Sequence, residues 1–552
     1  MSSVVMISGQ RTPPLACEPD HLSWGVHGGL VTCALALCSA AALAQEQATS
    51  GIASKISIVP RLSVTETFTN NAFLNDANKR SEIITQLSPG IRISSTGGRI
   101  KGSLDYSLTE LLYANNTSGR RSQNALNAAG SIEAVDNWAF VDFSGNIGQQ
   151  SISAFGAPSS GGVLSGGNST ESTVFRVSPY LRGRLAGLGD YEARYSLTNS
   201  RSASTTVSGS DQRELSLKLI GGQFRNGLSW GFDAFNQSVD YAIGRSTRAS
   251  VLNARLQYAL SEQWAGYTRV GHESNDFAVA TSQQDDFTAV GASWSPNPDL
   301  KVSLDRDTRG YTGLGVNWAP SKRASVSFDR EGRLYGATHR LVVAYRTPST
   351  AWTFSDSRAV TSNSAQGAAT PSVSLYALLS GQFAAGESDP IKRAQYDDFL
   401  LANGIKPGLT AVGGFLSSSV SLQRSQQLSF ALFGARSTLS AVATRSQNSK
   451  LDTLSTAIDD FVTSNVVQQN GLSFNYAYRL TAKSVVSLAA ARQVSSGSAG
   501  VAGTSLRSLN LNLSTQLTRD TSASVGARRV SFDSATTPYT ETAVTGNVSV
   551  QF

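Results

Sequence analysis

Apolar and polar side chains alternate along much of this chain, and this alternation limits the possible folds more than any other feature. In residues 543–552, the last ten, Val544, Val548, Val550 and Phe552 share one parity, and Thr, Asn, Ser and Gln fill the other. Because a strand places successive side chains on opposite faces, the pattern predicts a strand with one apolar and one polar face. Roughly ten residues is also the length that a tilted strand needs to cross a bilayer.

The same alternation recurs along the chain, for example in residues 100–108, 191–197, 252–260 and 509–517. Soluble sandwiches of this total length would need several domains joined by linkers, and the sequence shows no such linkers. Only 15% of the residues are charged, whereas about 25% is usual in soluble proteins. We therefore predict an all-β chain that forms a single transmembrane antiparallel β-barrel, with lipid outside and water inside. Closure also removes the exposed edges of so many strands.

The connections between the predicted strands alternate between short and long, as they do in outer-membrane barrels. Two periplasmic termini require an even strand number, and we expect about 24 strands (range 22–26) of roughly 9–15 residues. If Val373–Gly381 is a strand and a turn falls at Ser425–Gln427, the count becomes about 26. The unbroken parity of Val420–Leu432 favours one long strand instead.

Residues 1–44 have the pattern of a secretory signal peptide. An apolar run, Gly28–Ala40, precedes Ala42-Leu43-Ala44, which is a small-x-small cleavage site. Cleavage after Ala44 leaves residues 45–57 as a short periplasmic tail and residues 58–552 as the barrel. All three cysteines lie in the leader, which suits export to an oxidising compartment. The expected location is the outer membrane of a Gram-negative bacterium.

One stretch, Glu387–Gly404, breaks the alternation and predicts a short helix in the longest connection. Asp389 is suited to the cap, Pro390 to the first helical position and Gly404 to the end, and Phe399 lies on the apolar face. Two interpretations remain open, a gate or docking element and a loop without a function. The helix is extracellular if there are 24 strands and periplasmic if there are 26.

Several segments together resemble a known family. They are Ile58–Asn71, Ile84–Ser94, Asp389–Gly404 and Leu428–Ser446. The family is the outer-membrane β-barrel proteins associated with PEP-CTERM/exosortase systems. The resemblance implies an outer-membrane location and a link to the export of exopolysaccharide or biofilm matrix, and it brings no catalytic residues.

The sequence does not predict an enzyme or a cofactor site. After the leader, the only histidines are His272 and His339, far apart, and we interpret both as rim or lumen residues. Without a His/Cys cluster no metal site is expected. The carboxylate pairs at residues 285–286, 397–398 and 459–460 are interpreted as solvated loop residues. No glycine precedes a lysine in a phosphate-binding loop, and no basic patch predicts a nucleic-acid partner.

The predicted lumen face carries both signs of charge. Asp105, Glu192, Glu214 and Asp233 share it with seven pore-lining candidates. These candidates are Arg176, Arg182, Arg184, Arg194, Arg255, Arg340 and Arg346. Rings of arginine favour anions, but paired charges that merely fill the lumen are the alternative.

The expected partners are outer-membrane lipid, the barrel-assembly machinery, and exopolysaccharide with its export machinery. The terminal strand is the candidate assembly signal, through Val548, Val550 and Phe552. Three functions stay open: a passage or accessory for an extracellular polysaccharide, a porin for small anionic solutes, and a matrix anchor without transport.

Overall fold

The structure is a computed structural model that describes twelve stretches of the chain. They are residues 56–95, 97–115, 120–158, 167–204, 207, 209–221, 227–242, 246–277, 283–361, 414–452, 459–498 and 500–552. The predicted helix at residues 387–404 and the possible strand at residues 373–381 lie outside these described residues.

Twenty-four strands follow one another in the described part of the chain. The first twelve are β1 Ile56–Thr69, β2 Glu82–Ser95, β3 Ile100–Tyr113, β4 Arg121–Val135, β5 Ala139–Ser151, β6 Ser169–Leu185, β7 Gly189–Ser202, β8 Ser210–Gly221, β9 Leu228–Tyr241, β10 Thr247–Ala259, β11 Trp264–Asn275 and β12 Gln283–Asn297. The others are β13 Leu300–Asp307, β14 Thr312–Ser321, β15 Ala324–Arg333, β16 Gly336–Arg346, β17 Thr350–Thr361, β18 Ser421–Phe433, β19 Ser437–Lys450, β20 Val466–Arg479, β21 Ser484–Ser496, β22 Thr504–Gln516, β23 Thr521–Asp533 and β24 Tyr539–Gln551.

The sheet closes on itself. Every strand pairs antiparallel with its neighbours in sequence, and β1 pairs with both β2 and β24. At the seam, Val64 lies opposite Leu87 on one side and Val548 on the other. The prediction of a single antiparallel barrel of 24 strands is therefore confirmed.

The alternative of 26 strands is wrong, because β18 runs without interruption through Ser425–Gln427 and pairs directly with β17. Strand lengths vary more than expected, from 8 residues in β13 to 17 in β6. The first strand begins at Ile56, two positions earlier than the predicted barrel boundary.

The two ends of the barrel differ in their connections. At one end, here called the turn end, the connections include residues 136–138, 298–299 and 347–349. At the other end, here called the loop end, they include residues 152–168 and 362–420. The first strand begins and the last strand ends at the turn end. Since barrels in outer membranes keep short turns in the periplasm, the loop end corresponds to the cell exterior.

The outer wall is apolar and water-exposed in isolation, which is the surface that lipid covers. On β22, Leu509, Leu511 and Leu513 are 50%, 50% and 44% exposed. Apolar side chains cannot remain this exposed in water at a low free energy. The outward parity of the strands is therefore the lipid-facing parity, and the opposite parity faces the lumen.

Tryptophans mark the membrane boundary at the turn end. Trp264 packs against Trp294 with ring centroids 6.1 Å apart, and Trp352 packs against Phe430 at 4.3 Å. All tryptophans of the described residues lie within a few positions of a connection at this end, namely Trp138, Trp230, Trp264, Trp294, Trp318 and Trp352. Aromatic girdles at this level are a property of transmembrane barrels.

Helix is scarce in the described part of the chain. It holds one single-turn 3-10 helix, Asp460–Val462, in the connection between β19 and β20. None of its helices is long and apolar enough to span a bilayer.

Candidate functional site

The lumen wall has two chemically different sectors. The inward positions of β17–β22 carry Ser, Thr, Asn, Gln and apolar residues, and the only charges there among described residues are Lys450 and Arg479 at the strand ends. Representative members are Ser355, Gln427, Ser446, Ser473, Ser487 and Asn512. We call this sector the neutral wall.

The inward positions of β1–β16 instead form a charged wall whose arginines are mostly paired with carboxylates. Ion pairs satisfy much of the charge and hold neighbouring strands together. The half-exposed pairs add little stability, whereas Arg309 and Asp307 are buried, with side chains 8% and 4% exposed. The pairs are Arg92 with Asp105 (3.0 Å), Arg194 with Asp142 (2.7 Å), Arg269 with Asp305 (3.0 Å) and Arg309 with Asp307 (2.8 Å).

Three of the seven predicted pore arginines belong to this paired set. Arg176 contacts Glu214 at 3.5 Å, Arg184 contacts Asp190 at 2.8 Å, and Arg194 contacts Asp142 as above. All three lie on inward positions, so their charges are largely compensated within the wall.

The other four predicted arginines also lie on inward positions, but none forms an ion pair within the described residues. Arg182 lies over the Phe140 ring, 4.2 Å from its centroid, and Arg255 lies over the Tyr267 ring at 3.8 Å. Arg346 donates to the backbone carbonyl of Lys322 at 3.4 Å, and Arg340 is exposed. These four residues contribute positive charge to the lumen that no carboxylate of the described residues compensates.

The mouth of the barrel at the loop end is crossed by the connection between β5 and β6. Its residues 152–158 touch inward-facing side chains of distant strands. Strands β21–β24 and β1–β4 separate β5 from β20 on the shorter path around the barrel. A loop that reaches both regions must pass over the lumen rather than along the rim.

The first anchor of this loop is an apolar cluster on β1–β3 and β22–β24. Ala157 packs in a cluster with Ile84 and Leu111, both 0% exposed, and with Tyr539 at 1%. The hydroxyl group of Tyr539 donates a hydrogen bond to the carbonyl oxygen of Pro158 at 3.2 Å. Ile84 and Leu111 lie on inward parity, so the cluster lies inside the mouth.

The second anchor is an apolar cluster near β20. Ala154 packs with Phe415, Phe461 and Val467, and the rings of Phe415 and Phe461 lie 6.2 Å apart. Phe415 belongs to the last part of the long β17–β18 connection, and a bridge joins it to Ser151. Three separate loops therefore meet at this point.

Two carboxylates tie these loops together, and we call Asp459 and Asp460 the carboxylate latch. Asp460 accepts from the Ser153 hydroxyl group at 2.6 Å and from the Ala154 backbone N–H at 2.7 Å. Burial raises the pKa of the Asp460 carboxyl group above its ordinary value. The latch thus joins the β19–β20 connection to the β5–β6 loop.

Asp459 binds the other loop. Its Oδ2 accepts from the Ser417 hydroxyl group at 2.8 Å, the Ser418 N–H at 2.9 Å and the Ser419 hydroxyl group at 3.2 Å. The interpretation of this pair as solvated carboxylates is wrong, because backbone and hydroxyl donors of two other loops surround it. The hydrogen-bond donors lie far from the two carboxylates in the sequence, so the local sequence pattern could not indicate these contacts.

The remaining predicted residues have the following positions. Val548 is 48% exposed on the outer wall, Val550 lies opposite Leu62, and Phe552 follows β24 and is 56% exposed. The gate candidates Asp389, Pro390, Phe399 and Gly404 lie outside the described residues.

The two histidines differ from expectation in direction. His272 contacts Asp286 at 2.7 Å and His339 contacts Asp356 at 3.1 Å. Val270 on β11 and Tyr345 on β16 face lipid. His272 and His339 lie an even number of positions from them on the same strands, so both histidines also face outward. The interpretation as lumen residues is therefore wrong, whereas a position near the rim fits both, because each lies three positions from the loop end of its strand. The described residues contain no group of three or more His, Cys, Asp or Glu side chains that could hold a metal ion.

No protein-family model matches this chain, and no curated protein matches it. Among solved structures, it is similar to the FrpB iron transporter from Neisseria meningitidis (F5-1 variant), with 10% identity, a TM-score of 0.44, and coverage of 90% of this chain and 82% of that one. The siderophore receptor PirA from Pseudomonas aeruginosa is similar with 9% identity and a TM-score of 0.38, over 91% of this chain and 82% of that one. OccAB4 from Acinetobacter baumannii is similar with 8% identity and a TM-score of 0.28, over 90% of this chain and 98% of that one.

The class of this protein follows from its own geometry. A closed antiparallel sheet of 24 strands, an apolar outer wall with a tryptophan girdle and a polar lumen define a membrane-spanning β-barrel.

Proposed function

We propose that the protein is an outer-membrane barrel that serves as a passage or accessory for an extracellular polysaccharide, in a system of the PEP-CTERM/exosortase type. The observation that carries the proposal is the neutral wall of β17–β22. Hydroxyl and amide groups can exchange hydrogen bonds with the hydroxyl groups of a sugar chain. Each such bond contributes only about 0.5–1.5 kcal/mol net, so a passing chain is guided without being held.

The dimensions of the barrel support the same proposal. Barrel diameter grows with strand number, and barrels of about 16–18 strands already leave an aqueous channel. A 24-stranded barrel has room for a hydrated chain beside an inward loop. The crossing loop would then have to move aside, and the latch supplies a set of contacts that can be broken without disturbing the strands.

A porin for small anionic solutes is the second candidate. Four inward arginines without a carboxylate partner in the described chain favour it: Arg182, Arg255, Arg340 and Arg346. The ion pairs elsewhere on the charged wall weaken the field that these residues produce. Under this function, small anions would pass along the charged wall and the neutral wall would have no special role.

Single-channel recording with neutral oligosaccharides separates the two candidates. Asn512→Asp adds a charge to the neutral wall, and Asn146→Asp adds the same charge to the charged wall, where it is the matched control. Both side chains are half-buried on inward positions. For a polysaccharide passage, dextran oligomers should block the wild-type current briefly, and Asn512→Asp should alter the dwell time more than Asn146→Asp.

The opposite pattern would support the porin. Dextran oligomers would then leave the current unchanged, and the reversal potential in a salt gradient would show anion preference that falls when Arg340 and Arg346 are replaced by Gln. Equal dwell times in both Asp variants would remove the special role of the neutral wall.

A further inference from the structure

A row of basic side chains crosses the outer wall near the loop end. Strand pairing sets Arg330 opposite His339, His339 opposite Arg358, and Arg358 opposite Arg424. All four share the outward parity of Trp352, which is 43% exposed. The row therefore extends over four adjacent strands, β15–β18, on the side of the barrel that faces lipid.

A second basic group follows on β21–β23. Arg492 lies directly opposite Arg507. On the next strand, β23, Arg529 lies opposite Leu509. Leu509 is the next outward-facing residue after Arg507 on β22. The three arginines are exposed and continue the outward series that Leu509 and Leu511 begin. Arg507 thus lies just beyond the apolar band of β22 on the loop-end side.

These arginines lack the counter-charges that such an arrangement needs. Like charges directly opposite each other destabilise a sheet. Within the described residues, Asp356 is the one carboxylate that contacts the row, at 2.7 Å from Arg424 and 3.1 Å from His339. The second group contacts no carboxylate of the described chain. Something outside the chain is therefore expected to neutralise them.

Two outward arginines elsewhere at the loop end do have carboxylate partners. On β7 and β8, Arg201 contacts Asp211 at 3.0 Å and Arg213 approaches Asp240 to 4.0 Å. Some outward arginines outside the sector β15–β23 therefore have a carboxylate partner, whereas the side chains of Arg248 and Arg306 contact none among the described residues.

The row borders an open groove of about 550 Å³ on the outer wall. Arg330, His339, Arg358 and Arg424 line it together with Asp356 and the apolar side chains of Phe328 and Leu341. Guanidinium groups bind phosphate with two parallel hydrogen bonds. A groove with basic side chains beside apolar ones matches an amphiphile that has an anionic headgroup and an acyl chain.

We propose that the outer wall of β15–β23 binds the phosphate-bearing headgroups of lipids in the leaflet at the loop end. The primary site is the groove at Arg330, Arg358 and Arg424, and the group Arg492, Arg507 and Arg529 extends it. Arginine stems can run along apolar surface while the charged heads reach the headgroup layer. Basic pockets on membrane proteins bind anionic headgroups through this chemistry. Free phosphate has the same charge, but it cannot use the apolar part of the groove.

Lipid titration of the purified barrel in detergent tests the proposal. The probe is lipid A with two phosphate groups, and the readout is the unfolding temperature measured by intrinsic fluorescence. The test variants are Arg330→Gln/Arg358→Gln and Arg492→Gln/Arg507→Gln. The matched control is Arg201→Gln/Arg213→Gln, which removes two outward charges at the same end. We expect the control to keep the lipid-dependent shift and the first test variant to bind about tenfold more weakly or worse, because bidentate phosphate contacts are lost.

Two further arms identify the ligand. Dephosphorylated lipid A should shift the unfolding temperature of the wild-type protein far less than the phosphorylated form, and inorganic phosphate should give no comparable shift. An equal shift with the dephosphorylated lipid would overturn the role of phosphate. An equal shift with inorganic phosphate would replace the lipid site by a site for free anions. Loss of the shift in the control as well would reduce the effect to net charge and overturn the site.

Discussion

Asp460 accepts a hydrogen bond of 2.6 Å from the hydroxyl group of Ser153, although the two residues are 307 positions apart in the sequence. The contact joins loops that begin on opposite parts of the barrel rim. It lies beside the apolar contact of Ala154 with Phe461. The position of residues 152–158 across the mouth therefore depends on contacts between loops rather than between strands.

Removing the latch should open the mouth. We expect Asp460→Ala to raise the mean conductance in planar bilayers, because the Ser153 hydroxyl group and the Ala154 N–H lose their acceptor. Asp286→Ala is the control, since Asp286 is an exposed loop-end carboxylate on the outer wall whose side chain is 87% exposed. Deletion of residues 387–404 should also raise conductance if the predicted helix takes part in the gate. Unchanged conductance in Asp460→Ala would show that the latch does not limit the current.

The latch should also respond to pH. Burial raises the pKa of Asp460 above its ordinary value of 3.8, against the lowering effect of its bonds to Ser153 and Ala154. A carboxyl group with a raised pKa in the folded state stabilises that state fully below the ordinary pKa, and this stabilisation is lost as the pH rises through the raised value. Conductance should therefore increase as the pH rises from below the ordinary pKa through the raised pKa of Asp460. Asp460→Asn, which cannot ionise, should flatten this rise, and an identical profile in that variant would assign the titration to another group.

The lipid-facing parity can be tested on one strand. Leu511 is 50% exposed on the outer wall of β22, and Asn510 beside it faces the lumen. Leu511→Arg should destabilise the barrel by about 2–4 kcal/mol near the middle of the bilayer, whereas Asn510→Arg should have a small effect. Urea unfolding in lipid vesicles measures both. Equal losses would mean that the assignment of the two faces is incorrect.

Assembly is expected to depend on the last residue. Val548 lies opposite both Val64 and Ala523 in the closing strand, and Phe552 directly follows that strand. Deletion of Phe552 should reduce the yield of heat-modifiable barrel in the outer membrane much more than deletion of residues 45–50. A normal yield without Phe552 would argue against a terminal recognition signal.

The architecture was predictable because its cause is local. Period-two alternation is present in the sequence, and the parity of Val420–Leu432 was enough to choose 24 strands over 26. The tryptophan girdle also has a sequence signal, since the tryptophans of the described residues lie close to the connections at the turn end.

The latch and the outer arginines were not predictable in the same way. Asp459 and Asp460 acquire their partners from loops that only closure of the sheet brings together. The outer arginines break the alternation rule, because strands continue beyond the apolar band. Arg358 and Arg424 are therefore polar residues on the lipid-facing parity, which parity alone assigns to apolar side chains.

A disulfide lock tests the central claim most directly, that the β5–β6 loop closes the lumen through the latch. Residues 45–552 contain no cysteine, so Ser153→Cys/Asp460→Cys introduces a single possible disulfide within them. The conductance of this variant should be low when oxidised and should rise on addition of reductant, while each single Cys variant should not respond. A conductance that stays the same before and after reduction, with disulfide formation verified by mass spectrometry, would contradict closure by this loop.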